Sequence, residues 1–130
     1  MEKSLFLIFN HQLTGAQETD ARSTLGVRRI VGLPPDLKKL WEQIPADLPE
    51  LGGHLKPLKD WLGSETAEGD HVLIQGDFGA CFIMVNAAFE RGMVPVYATT
   101  TREAVEERDP DGSVTVTRRF RHQIFRKYGS

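Results

Sequence analysis

At 130 residues, with 40% hydrophobic and 26% charged residues, the chain has material for one core but not two, and its usage is ordinary for a globular protein. Sixteen Lys and Arg against eighteen Asp and Glu leave a net charge of −2, which argues against general DNA or RNA binding and makes any anion site a local feature. The longest apolar runs, Leu5 to Phe9 and Ala80 to Val85, are too short to cross a bilayer, and five apolar residues before Asn10 are too few for a signal-peptide core. With a lone Cys81 and no disulfide framework, the expected setting is the reducing cytoplasm, away from membranes.

Leu5 to Phe9 is a continuous apolar run, as in a strand buried on both faces, and predicts the central strand. Thr14 and Gln17 have capping-box spacing and open a helix that Gly26 ends. Val27 to Leu33 predicts a second strand, stopped by Pro34 and Pro35, so the first unit is βαβ with a right-handed crossover. Between Leu37 and Leu62 the helical spacing is interrupted by prolines and glycines, which predicts two short helices with Trp41 and Trp61 as core residues.

His71 to Gln75 predicts a third strand. Gly76 to Gly79 forms a tight turn into a helix from Ala80 to about Arg91, apolar nearly all round, with Cys81, Met84 and Phe89 assigned to the core. Gly92 ends that helix, and Val94 to Ala98 predicts a fourth strand. Beyond Thr101 the turn Asp109, Pro110, Asp111, Gly112 suggests a β-hairpin between Ala104 to Arg108 and Val114 to Thr117; a helix over Thr101 to Glu107 is the alternative. Phe120 to Tyr128 fits either a helix or a continued strand. After Asp111 acidic residues cease while Arg118, Arg119, Arg121, Arg126 and Lys127 accumulate, either as a solvated basic tail or as part of an anion site.

In open α/β sheets ligands bind beyond the carboxyl ends of parallel strands, where backbone donors and helix amino termini converge. Three segments fall there: Asn10, His11, Gln12, Leu13 and Thr14; Gln75, Gly76, Asp77, Phe78 and Gly79; and Thr99, Thr100, Thr101 and Arg102. Each has an ordinary reading as a turn or a cap, but together they predict one polar rim and a ligand site. Neither phosphate-binding glycine motif, G-x-x-x-x-G-K nor G-x-G-x-x-G, occurs, and His11, His54, His71 and His122 are scattered, so no metal and no cofactor are expected.

Phe9-Asn10-His11, Leu33-Pro34, Gly69-Asp70, Ile74-Gln75-Gly76-Asp77-Phe78-Gly79, Val94-Pro95-Val96-Tyr97, Thr99-Thr100-Thr101-Arg102, Asp111-Gly112, and Phe120, His122, Phe125, Arg126 and Tyr128 span nearly the whole chain. In these features the sequence resembles a small CRISPR-associated family of the Csx group found beside type III systems. The resemblance implies an α/β, Rossmann-like (CARF-like), mostly parallel sheet flanked by helices, with a C-terminal β-hairpin, in one domain over residues 1–130. It further implies a ring nuclease that binds and cleaves cyclic tetra-adenylate, a cyclic oligoadenylate, by metal-independent attack of the ribose 2′-hydroxyl, switching off antiviral signalling. A homodimer would match the rotational symmetry of such a ring.

On that resemblance Arg102 is the phosphate clamp and His11 the acid or base, with His122 in reserve. Asn10, Gln12 and Thr99 to Thr101 position the ring, and Gly76 and Gly79 admit close approach of phosphate. Two other classes compete with the enzyme: a module that sequesters the messenger uncleaved, and a regulatory partner of the CRISPR machinery.

Overall fold

A computed structural model describes residues 2–130. Five strands form one mixed sheet in the order β2-β1-β3-β4-β5, built from β1 (Lys3–Ile8), β2 (Val27–Val31), β3 (His71–Ile74), β4 (Val94–Arg108) and β5 (Val114–Lys127). β1 pairs in parallel with β2 and β3, β3 in parallel with β4, and β4 antiparallel with β5. The helices are α1 (Gly15–Asp20), continued by a π-helical turn Ala21–Leu25, then α2 (Pro35–Glu42), α3 (Lys56–Glu65) and α4 (Phe78–Glu90). The fold is thus α/β, with helices flanking a mixed sheet and an antiparallel hairpin at the carboxyl end.

Alternate residues of β1 serve two cores, as a strand covered on both faces requires. Phe6 and Ile8 join Val72 and Ile74 of β3 beneath Trp41, Leu58, Leu62, Ala80 and Met84, so α2, α3 and α4 cover one face. Leu5 packs with Leu73, Val96, Ala21 and Val27 on the other face, and Phe125 of β5 joins that cluster from the edge. Trp41 is fully packed and its indole Nε1–H donates to the Gln75 carbonyl at 2.9 Å; Trp61 meets the Phe6 ring edge to face at 5.7 Å. Trp41 is thus a core residue, as its spacing predicts, and Trp61 is half-buried against that core.

The capping box at Thr14 is formed in both directions: the Thr14 hydroxyl accepts from the Gln17 N–H at 3.2 Å, and Gln17 Oε1 accepts from the Thr14 N–H at 2.9 Å. Gly26 follows the π-helical turn with φ 70°, the left-handed conformation that ends a helix cheaply only at glycine.

Two expectations are corrected. β4 does not stop at Ala98 but runs to Arg108, so the alternative helix over Thr101 to Glu107 is absent, and β5 continues unbroken through Phe120 to Lys127. Beyond Ala98 these strands pair only with each other, and past the base, where His122 packs against α1, they form a ribbon with solvent on both sides. Such a ribbon has no core face, so its alternation carries no apolar signal; the β-branched Thr99 to Thr101 suit a strand regardless. The second correction concerns α4. Met84 is fully buried, but Phe89 is 49% exposed, Phe82 71% and Phe78 95%, so the helix buries one face and shows the other to solvent.

Candidate functional site

The strand order creates a switch point between β1 and β3. From β1 the chain leaves through α1, on one face, to reach β2; from β3 it leaves through α4, on the opposite face, to reach β4. The two connections therefore part above the carboxyl ends of β1 and β3, where open α/β sheets leave a crevice for ligands. Residues 9–14 and 75–78 border that crevice.

On the β1 side, Asn10 is half-buried, and its Oδ1 is shielded from solvent with no hydrogen-bond partner. A buried acceptor without a donor costs free energy, so this oxygen is a natural place for an external N–H or O–H. His11 is exposed, its ring set edge to face against Phe9 at 5.4 Å. His11 and Gln12 line a cavity of about 250 Å³ with Leu33 and Lys38. Thr14 is committed to capping α1.

On the β3 side most polar groups serve the fold. Gln75 Oε1 accepts from the Ala98 N–H at 2.8 Å, tying the loop to β4, while its carbonyl receives Trp41. Gly76 is demanded by that tryptophan, because a Cβ there would stand 2.8 Å from the indole nitrogen. Asp77 caps α4, its Oδ2 accepting from the Ala80 N–H at 3.0 Å. Gly79 differs. A Cβ at 79 would meet nothing nearer than 3.5 Å, so the fold itself does not require glycine in this exposed first turn of α4. Phe78 and Gly79 are the opening residues of that helix, not a loop before it, and the unpaired N–H groups of a helix start are suited to anions. Gln75, Gly76 and Phe78 line a separate groove of about 520 Å³ with Cys81, Tyr97 and Tyr128. Burial pushes the Cys81 thiol up, and pushes Tyr128, whose hydroxyl donates to the Ile74 carbonyl, to about 12.

The third predicted segment is not a loop. Thr99 lies in β4 at the irregularity between Ala98 and Thr100, where its hydroxyl accepts from the Ile124 N–H at 3.1 Å. Thr100 pairs with His122, and Thr101 accepts from the Gln123 side chain at 3.0 Å. Arg102 lies out on the ribbon, its guanidinium 5.1 Å from the centre of the Phe120 ring.

His122 is 6% exposed, and its Nε2 lies 2.7 Å from Asp20 Oδ2 at the end of α1. The Thr24 hydroxyl donates to the other oxygen of Asp20; that bond first, and the His122 contact next, hold the Asp20 carboxyl below its ordinary range against the opposing effect of burial. This contact clasps the ribbon to α1. The cavity beside it, about 420 Å³, is lined by Thr14, Thr100, Arg119, Arg121 and His122. Nothing in the spacing of Asp20 marks it as the partner of a histidine 102 residues away.

Of the sequence-predicted residues, His11 and Gln12 line one concavity, Gln75, Gly76 and Phe78 a second, and Thr14, Thr100 and His122 a third, while Asn10, Asp77, Gly79, Thr99, Thr101 and Arg102 line none of the three. Among the described residues no group of three or more His, Cys, Asp or Glu side chains is placed to hold a metal ion, and no helix is long and apolar enough to cross a membrane.

A family model described as the uncharacterized protein MJ1673 family matches residues 3–126. The uncharacterized protein MJ1673 of Methanocaldococcus jannaschii is 44% identical to the chain over 124 residues, covering 95% of each sequence. No solved structure matches the chain. With a match running from the start of β1 almost to the end of β5, the chain belongs to the MJ1673 family.

Proposed function

We propose that this protein is a cytoplasmic ring nuclease with a Rossmann-like, CARF-like sheet, which binds cyclic tetra-adenylate as a homodimer and opens it without a metal. The observation that carries the reading is the crevice at the β1/β3 switch point. There the unpartnered Asn10 oxygen faces the demands of a polar ligand, and the start of α4 carries at Gly79 a glycine that the protein's own packing leaves unexplained. The resemblance supplies the ligand class; the crevice supplies a place for phosphate and ribose.

The ribose 2′-hydroxyl attacks the adjacent phosphorus, a new P–O2′ bond forms and the P–O5′ bond breaks. The products are a 5′-hydroxyl and a cyclic 2′,3′-phosphate. The proton leaving the 2′-oxygen and the proton gained by the 5′-oxygen balance, so one histidine can act first as base and then as acid. His11, exposed at the rim, has this role, while Asn10 and Gln12 orient the ribose. The free N–H groups at the start of α4 and Arg102, swung in from the ribbon, stabilise charge on the phosphoryl oxygens. His122 is better suited to holding the ribbon on Asp20, where its ring is enclosed.

The test is to incubate the pure protein with cyclic tri-, tetra- and hexa-adenylate in EDTA and to separate the products. Linear fragments ending in cyclic 2′,3′-phosphate, formed in excess over protein, are expected from the tetramer. Tight binding with the ring intact would make the protein a sequestering module. No binding at all would overturn the nucleotide reading in favour of a regulatory partner.

A further inference from the structure

α4 carries on its solvent side an apolar stripe at helical spacing, Phe78, Phe82, Val85 and Phe89, and from Phe78 to Phe89 the helix contains no charged residue. The exposures of Phe78, Phe82 and Phe89 together amount to rather more than two whole phenylalanine surfaces, roughly 400 Å² at the usual size of the side chain. That lies within the range of the largest apolar patch on a typical monomer, where such patches are often functional. It also supplies about half of the ~800 Å² each partner contributes to a standard interface, before the neighbouring groove is counted.

The groove is the complement of the stripe. Phe78 and Phe82 form one wall, Tyr97 and Tyr128 the other, and its volume is about 520 Å³. Knob and hole thus sit side by side on one surface, the condition for an isologous contact, in which each copy offers the same patch to the other. Antiparallel crossing of two α4 helices also opposes their dipoles and brings no like charges together along the stripe.

The ribbon is the other exposed apolar surface, and it is built differently. Val114, Val116 and Phe120 lie on a face shared with Arg102, Glu106, Arg108 and Arg118, and Arg102 already covers Phe120. Charges so interleaved along an edge strand discourage pairing with another chain. We propose that the α4 stripe, not the ribbon, is the surface on which two copies of this chain associate about a two-fold axis, each seating phenylalanines against the other's Tyr97–Tyr128 groove. The inference rests on the homodimer of the ring-nuclease reading and adds the surface that forms it, and its test needs no nucleotide.

The measurement is sedimentation velocity of the full chain over a range of concentrations, with circular dichroism to verify folding. Wild type is expected to be a dimer. Phe82→Glu changes a side chain that is already largely in solvent, so the fold persists, while the charge is buried twice in a symmetric interface. A central hot spot is worth at least about thirtyfold per side, so the dissociation constant should rise by close to a thousandfold for the pair. Phe78→Ser should act in the same direction, and Val116→Glu on the ribbon should leave the dimer intact. A monomeric wild type, a dimeric Phe82→Glu, or a dimer broken by Val116→Glu would each overturn the assignment.

Discussion

Strand β4 passes from one physical regime to another within fifteen residues. At Val96 it is a core strand, in register with Leu73 on one side and Lys127 on the other. From Thr100 to Arg108 it keeps only β5, and nearly every side chain meets solvent. The sheet is specified by burial: a one-residue slip would turn Phe6, Ile8, Val72 and Ile74 away from their helices. The ribbon is held by other means. Its turn is fixed by Gly112 at φ 88° and by the Asp109 and Asp111 carboxylates accepting from Ser113 and Thr115, and its base is clasped to α1 through His122 and Asp20. A rigid sheet carrying a lightly held arm places fixed groups at the rim and adjustable ones on the ribbon.

The largest expected effect separates rim from arm. If His11 transfers protons, His11→Ala should lower the single-turnover rate of ring cleavage by roughly 10²- to 10⁴-fold and leave affinity largely intact. Equal losses in rate and affinity would make it a contact residue, and an unchanged rate would remove it from the chemistry. The sheet itself is tested by Trp41→Ala, which deletes a buried ring and the donor to Gln75, and should cost roughly 3–5 kcal/mol in chemical denaturation. Val116→Ser on the ribbon should stay within about 0.5 kcal/mol. Comparable losses for the two would show that the ribbon belongs to the same cooperative unit in a way its exposure does not suggest.

Arg102→Ala asks whether the arm serves the ligand. Losing a charge-assisted phosphate contact should weaken binding of cyclic tetra-adenylate by about 10- to 150-fold, the equivalent of roughly 1.5–3 kcal/mol. Wild-type affinity by calorimetry would leave Arg102 as a residue that merely stacks on Phe120. Cys81→Ser should keep full activity per folded molecule, since burial disfavours the thiolate a nucleophile needs. Loss of turnover in the folded variant would reopen a thiolate mechanism.

The difference between the regions also governs how much the sequence could disclose. Leu5 to Phe9, the Thr14–Gln17 box and the apolar spacing of α2 and α3 are each consequences of burial or capping, and burial and capping leave periodic marks. The ribbon buries little, so Thr99 to Thr101 read as a loop although they are strand. Phe89 read as core because an apolar residue on an apolar helix gives no sign that its side of the helix is uncovered; a pattern records what a residue prefers, not what the topology places against it. The candidate site was legible as three segments, and two of them do flank the switch point. The functions of Gln75 and Gly76 were not, since their partners Ala98 and Trp41 lie 23 and 34 residues away from Gln75 and meet it only once the sheet closes. The Asp20–His122 pair joins the two regions across the chain and was invisible for the same reason.

The smallest effect expected is a pH dependence of stability that again divides sheet from arm. His71 opens β3, and burial first, then the charge of Lys127, holds its imidazole below the ordinary value of 6.5, with Asp70 opposing and Lys3 adding to the depression. A base depressed in this way is neutral in the folded protein, whereas the unfolded chain takes up its proton as the pH drops past about 6.5. Stability is therefore full above that value and declines below it, until the folded form is protonated as well. Asp20 is an acid depressed below 3.8, so its contribution is complete above that value and is lost only at lower pH, as the folded carboxyl finally protonates. Two acid steps should appear in urea midpoints measured between pH 7.5 and pH 3, the first from the sheet and the second from the arm, where Asp111 at the ribbon turn is depressed by its hydrogen bonds from Ser113 alongside Asp20 at the clasp. His71→Gln, neutral at every pH, should flatten the first step and leave the second; Asp20→Asn should shrink the second and leave the first. A first step of unchanged size in His71→Gln would assign it to another group and deny His71 a part in the acid response of the sheet.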